Sequence, residues 1–111
     1  PFHTASGYGG LLWHYYTGNQ SMEIELVRSK DGWSWERSFD RSPLLGRSAQ
    51  GLFDCGMVMA IASPVKWKEK ALIFYNGRNT VHDGKLYYPE DESIGPLKGI
   101  GVAEFSLDLF E

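Results

Sequence analysis

The dipeptide Asp31-Gly32 stands between two runs of alternating polarity, and no other feature restricts the chain as much. Upstream, "MEIELVRS" puts Met22, Ile24 and Leu26 on one side and Glu23 and Glu25 on the other. That is the period of two expected of a strand with one face toward a core. Downstream, "WSWER" resumes the alternation with Trp33 and Trp35. Asp-Gly tolerates positive φ, so the stretch predicts a tight hairpin. Before it, the aromatic run "LLWHYYTG" ends in a Thr-Gly-Asn turn signal and reads as a further strand of the same meander.

A similar order then recurs. A polar link marked by Pro43, Gly46 and Gly51 leads into "MVMAIASPV", which reads as a strand covered on both faces or as a short buried helix. "WKEK" makes a charged turn, "ALIFYNG" the next strand, and "GIGVAEFS" the last one, beyond a polar loop over 78–98. Tyr16-Thr17-Gly18 aligns with Tyr75-Asn76-Gly77, and Ser29, Asp31 and Trp33 align with Ser106, Asp108 and Phe110. The second copy therefore carries an insertion in its long loop. Such a repeat is what propeller blades, four-stranded units of about 40–50 residues, leave in a sequence. The expectation is a single all-β domain over 1–111 with blade-like units at 1–50 and 51–111. Its antiparallel meanders would form a partial β-propeller of about two blades. The first copy reads as strands two to four and the second as strands one to three, with "FHTAS" the alternative source of the first inner strand. Sheet edges left open in this way invite pairing with another chain. Completion by oligomerisation, as a homo-oligomer, is therefore expected.

Composition narrows the partners. The 111 residues suffice for one modest core. The net charge is -3 and Lys and Arg are scattered, which speaks against a nucleic-acid partner. The longest apolar stretch, Met57 to Ala62, is too short to span a bilayer, so no membrane partner is expected. The N-terminal "PFHTASGYGG" has no charged-then-apolar signal pattern, although a start at Pro1 leaves trimming open. Cys55 is the single cysteine and reads as a buried, inert thiol; without a disulfide the chain suits a soluble, cytoplasmic location. His3, His14 and His82 lack metal-ligand spacing, and "GYGG" precedes a strand where a phosphate cradle needs a helix. No metal or cofactor is expected.

The succession "YYTG … ELVRSKDGWSWER … PLL … GLFDCGMV … PV … ALIFYNG … IGVAEFS" resembles the five-bladed β-propeller glycosidases, a group that includes the arabinanase, xylosidase and fructosidase families. The likeness runs from Leu11 to Phe110 and amounts to about two of the blades. Its most specific element, Ser29, Asp31, Gly32 and Trp35, marks a blade hairpin and speaks for fold rather than activity. The resemblance implies catalytic carboxylates at the starts of innermost strands, facing a central channel. Asp54, in "FDCG", is the position that matches. The remaining carboxylates would belong to blades outside these residues.

In an up-and-down blade, the start of the inner strand shares a rim with the loops between strands two and three. That rim would carry Asp54, the loop Thr17 to Gln20 and the loop 78–98, with the turns at Lys30 to Gly32 and Lys66 to Lys70 opposite. Loops held on a rigid scaffold are where function concentrates. Glycoside hydrolysis needs two carboxyl groups, about 5–5.5 Å apart for retention or about 6.5–9.5 Å for inversion. Asp54 with Glu23 is the catalytic candidate, and Asp83, Glu90, Asp91 and Glu92 are further possible partners. A structural carboxylate is the plainer reading of Asp54, and a solvated acidic face that of the loop residues. The ligand-binding candidates are Asn76, Arg78, His82, Tyr87 and Tyr88, with the two tyrosines as a stacking platform; Trp13 and Tyr15 read as core. The expected function is a non-catalytic oligomeric propeller-like module that binds a saccharide or small polar ligand on its loop rim. The alternatives are a glycoside hydrolase with carboxylates assembled across subunits, and a structural remnant without a ligand.

Overall fold

The computed structural model describes every residue except Phe39. The described residues form an all-β chain with one open, mixed sheet of eight strands. The first four are β1 (Phe2–Thr4), β2 (Gly7–Tyr15), β3 (Met22–Ser29) and β4 (Trp35–Glu36). They are followed by β5 (Met57–Ala60), β6 (Val65–Trp67), β7 (Lys70–Arg78) and β8 (Lys98–Ser106). Two short 3-10 turns, Pro89–Asp91 and Leu107–Phe110, complete the regular structure. No helix among the described residues is long and apolar enough to cross a membrane.

β1 to β4 run as an antiparallel meander. "FHTAS" does supply a strand beside β2, with Phe2 opposite Gly9. β2 and β3 pair from Tyr8 opposite Ser29 to Tyr15 opposite Met22. The Asp31-Gly32 turn is wider than the tight turn expected at Lys30 to Gly32, since Ser29 pairs with Trp35 and the loop spans Lys30 to Ser34. Side chains set that width. The Asp31 carboxylate accepts from the N–H groups of Trp33 (2.8 Å) and Ser34 (2.9 Å), and Ser29 Oγ accepts from Gly32 N–H (2.8 Å). This local capping competes with the strand ladder and leaves β4 two residues long. Trp33 is consequently 89% exposed in the loop rather than alternating in a strand.

In the second half, β7 is central. β8 lies along its whole length on one edge, while β5 and then β6 share the other. "MVMAIASPV" thus forms a strand over Met57–Ala60, its last residue, Val65, opens β6, and Lys68-Glu69 is the predicted charged turn. A single parallel bridge between Met22 and Met57 joins the two halves.

The core lies where the halves meet. Ile24, Val58 and Ile73 are fully buried, and Ala60, Ala71, Tyr75 and Phe110 complete the cluster. Each buried aliphatic of this size contributes about 1.5–3 kcal/mol relative to exposure. Phe110 packs edge-on against both Phe2 and Phe105, so the turn Leu107–Phe110 closes the core beside β1. Arg28 secures it by donating to the Leu109 carbonyl at 3.0 Å. Two readings of burial are corrected. Trp13 and Tyr15, read as core, are 52% and 38% exposed on β2, with the Trp13 indole N–H donating to the Ala60 carbonyl at 3.1 Å. Glu25, read from the alternation as lying opposite the core, is only 1% exposed, because the chain beyond β4 folds back over it and supplies a counter-charge.

Candidate functional site

Three connections converge at one end of the sheet: Tyr16 to Ser21, the segment 46–56, and the long loop 79–97. Each is built by side chains that replace strand hydrogen bonds. Asn19 Oδ1 accepts from both the N–H and Oγ of Ser21. Gln20, at φ 62°, then reaches across the gap. Its carbonyl accepts from His82 N–H and its Oε1 from Asp83 N–H, both at 3.0 Å. Asn79, buried at the base of the long loop, ties the far limb. It donates to the Gly95 carbonyl (2.9 Å) and accepts from Leu97 N–H (2.7 Å).

Arg47 binds the middle segment to the long loop. Its Nη1 donates to the Cys55 carbonyl (2.8 Å) and its Nη2 to the Tyr87 hydroxyl (3.2 Å). The guanidinium lies 4.1 Å from the centre of the Tyr87 ring, a cation–π arrangement. Asn19 Nδ2 approaches the same hydroxyl at 3.4 Å. Tyr87 meets Tyr88 edge to face, with centroids 4.8 Å apart. Beside them opens a cleft of about 480 Å³ lined by Asn19, Gln20, Asp83, Lys85, Tyr88 and Glu90, among others. It offers amide, ammonium, carboxylate and phenol groups, donors and acceptors together, around aromatic surface.

The structure brings His82, Tyr87 and Tyr88 to this end of the molecule, with His82 edge-on to Tyr15 at 5.4 Å. Asn76 and Arg78 are on the last part of β7, toward the long loop, in register with Ile100 and Lys98, and do not line the cleft. Glu23 is partly buried, and its Oε2 accepts from Arg47 N–H at 2.8 Å. Asp54 is 4% exposed, and Oδ2 accepts from the Tyr75 hydroxyl at 2.7 Å. The two carboxylates therefore have separate partners. Asp83 accepts from Lys85 N–H, and Glu90 and Asp91 accept from Gln50 Nε2. None of these acids shares a hydrogen-bond partner with Asp54.

The surroundings of Asp54 are tightly fitted. Phe53 stacks parallel to Tyr75 at 6.3 Å. A Cβ on Gly101 would stand 2.3 Å from the Tyr75 ring, and one on Gly77 would stand 2.6 Å from Asp54. Glycine at both positions lets the rings lie flat on the sheet. Burial, reinforced by the hydrogen bond to Asp54, pushes the Tyr75 hydroxyl up to about 12.

Sequence reasoning missed a second polar cluster. Arg37 grips Glu25 with two hydrogen bonds, Nε to Oε1 (2.9 Å) and Nη2 to Oε2 (2.6 Å). His14 Nδ1 lies 3.1 Å from Glu25 Oε2, and its ring stacks on Tyr16 at 4.3 Å. The Arg37 hydrogen bonds hold the Glu25 carboxyl below its usual range. The cross-strand position of His14 opposite Glu23 follows from the meander, but nothing in the local sequence announces Arg37 as the partner. Among the described residues no group of His, Cys, Asp and Glu is arranged to hold a metal ion.

No protein-family model, no curated protein and no solved structure matches the chain.

Proposed function

We propose that the chain is a non-catalytic, self-associating module of propeller-like ancestry, about two blades in extent, that binds a saccharide or another small polar ligand at the convergent loops. The observation that carries this reading is the fixing of Tyr87 by Arg47 and Asn19 beside an open cleft of mixed polar and apolar lining. A preformed aromatic surface loses little freedom when a sugar ring stacks on it, and the surrounding amide and carboxylate groups can exchange hydrogen bonds with its hydroxyls. Asp54 supports a non-catalytic role, because its carboxylate is buried against Tyr75 rather than presented to a ligand.

Calorimetric titration with arabino-, xylo- and fructo-oligosaccharides tests the reading. Binding by the wild type, weakened about tenfold or more in Tyr88→Ala and unchanged in Asp54→Asn, is the expected pattern. Release of reducing sugar by the wild type, lost in Asp54→Asn, would instead establish a hydrolase. Absence of binding across all three series would remove the saccharide reading.

A further inference from the structure

β8 is nine residues long, contains no proline, and pairs with β7 alone among the described residues, which leaves its other side unpaired within them. A long edge of this kind is a template for another strand. The Asn79 N–H to Leu97 carbonyl bond sets the phase of the β7–β8 ladder. Pairs alternate along an antiparallel ladder, so Gly99, Gly101 and Ala103 bond toward β7. The backbone groups of Lys98, Ile100, Val102 and Glu104 then point to the open side. The same four side chains share the exposed face, where Ile100 is 65% and Val102 54% exposed. Neither Lys98 nor Glu104 has an ion-pair partner among the described residues.

These positions are self-complementary in one register. We propose that two copies of the chain pair their β8 edges antiparallel about a two-fold axis at Gly101, each Lys98 facing Glu104 of the second copy. Ile100 then faces Val102 of the second copy, and Gly101 faces its own counterpart. Lys98, Ile100, Val102 and Glu104 exchange backbone hydrogen bonds with the residues opposite them, and the cross-strand contacts are ionic at both ends and β-branched between. A slip of two residues in either direction separates both charge pairs, and a slip of one misaligns the outward backbone groups. Parallel pairing would bring Lys98 toward Lys98 and Glu104 toward Glu104. The two charges thus select both the direction and the register of the contact. The isologous geometry closes at two copies and covers an edge that would otherwise stay reactive.

This inference rests on the self-association in the reading above and names the surface that performs it. The experiment is light scattering coupled to size exclusion, over a range of protein and salt concentrations, on the wild type and three variants. Val102→Pro removes an N–H from the open side only, a substitution that edge strands tolerate. Lys98→Glu opposes like charges, and Lys98→Glu combined with Glu104→Lys restores attraction with the signs exchanged. The expected result is a wild-type dimer, a folded monomer for Val102→Pro, a dissociation constant raised about tenfold or more for Lys98→Glu, and recovery in the double variant. Circular dichroism reports folding, and should Val102→Pro fail to fold, the charge-exchange pair decides alone. Unchanged dimers in both single variants would overturn the β8 contact while leaving self-association intact. A monomeric wild type would overturn both, whatever the saccharide titrations show.

Discussion

The hydroxyl of Tyr75 donates to the Asp54 carboxylate at 2.7 Å, in a site that Phe53 covers from the side. Removing the donor leaves a buried acceptor without its partner, which costs about 1–3 kcal/mol. Tyr75→Phe is therefore expected to lower the urea midpoint, whereas Asp54→Asn, which keeps an acceptor oxygen, is expected to change it less. The pH dependence has a definite sign. Tyr75 titrates at about 12 when folded and near 10.0 when unfolded, so the folded state holds its proton more tightly. The stabilisation is complete below 10.0 and disappears as pH rises through about 12. Urea midpoints measured through the alkaline range should fall in the wild type, and the fall should be smaller in Tyr75→Phe.

Glu25 is the most deeply buried acid of the chain, and Arg37, its bidentate partner, is partly open to solvent. Neutralising one member of such a pair strands the other. Glu25→Gln should cost about 1–3 kcal/mol in urea unfolding, less than for a wholly buried pair because Arg37 can rehydrate. The folded carboxyl titrates below its ordinary 4.5, so the contribution is complete above that value and is lost as pH falls through the lowered one. Acid unfolding of Glu25→Gln should accordingly be less steep. Arg37 Nη2 and Glu25 Oε2 both lie within hydrogen-bond reach of His14 Nδ1, at 2.9 and 3.1 Å. Long-range nitrogen–proton NMR reads whether that nitrogen carries the proton and so which of the two it bonds.

Cys55 is 2% exposed, and burial pushes its thiol upward from the ordinary range. The thiolate is the reactive form, so the native protein should react with a disulfide reagent at pH 8 many times more slowly than the urea-unfolded chain. Rapid native-state modification would show that the segment 51–56 opens locally.

The strands with the longest ladders were the legible ones. β2, β3, β7 and β8 announce themselves through alternation or aromatic and β-branched content, because one face of each must meet the core. β4 was legible only in part: the run "WSWER" contains it, but the Asp31 capping bonds take up Trp33 and Ser34, which the alternation assigned to the strand. Glu25 was misplaced for a different reason. Period two assigns a residue to a face but is silent on which later segment covers that face, and Arg37 arrives only after the chain has turned. The candidate site divides in the same way. Tyr87 and Tyr88 stand out as aromatics in a polar loop, whereas Arg47, Asn19 and Gln20 act through long-range contacts that no spacing encodes.

Asn79 is the residue on which the order of the long loop most depends. Its side chain bridges Gly95 and Leu97, and its carbonyl accepts from Tyr87 N–H at 3.0 Å, so both limbs of the loop meet at one buried amide. Asn79→Ala keeps the carbonyl but removes the two side-chain bonds, leaving the Gly95 carbonyl and Leu97 N–H to water. The sheet ladder from Lys70 to Arg78 is untouched, so the loss should be local. Limited proteolysis should therefore cleave Asn79→Ala within 82–95 under conditions that spare the wild type, while the far-ultraviolet circular dichroism stays unchanged. The same variant should weaken any oligosaccharide binding, because Tyr87 and Tyr88 would no longer be held beside Asn19 and Gln20. Retained protease resistance would show that Gln20 and Arg47 alone suffice to hold the loop.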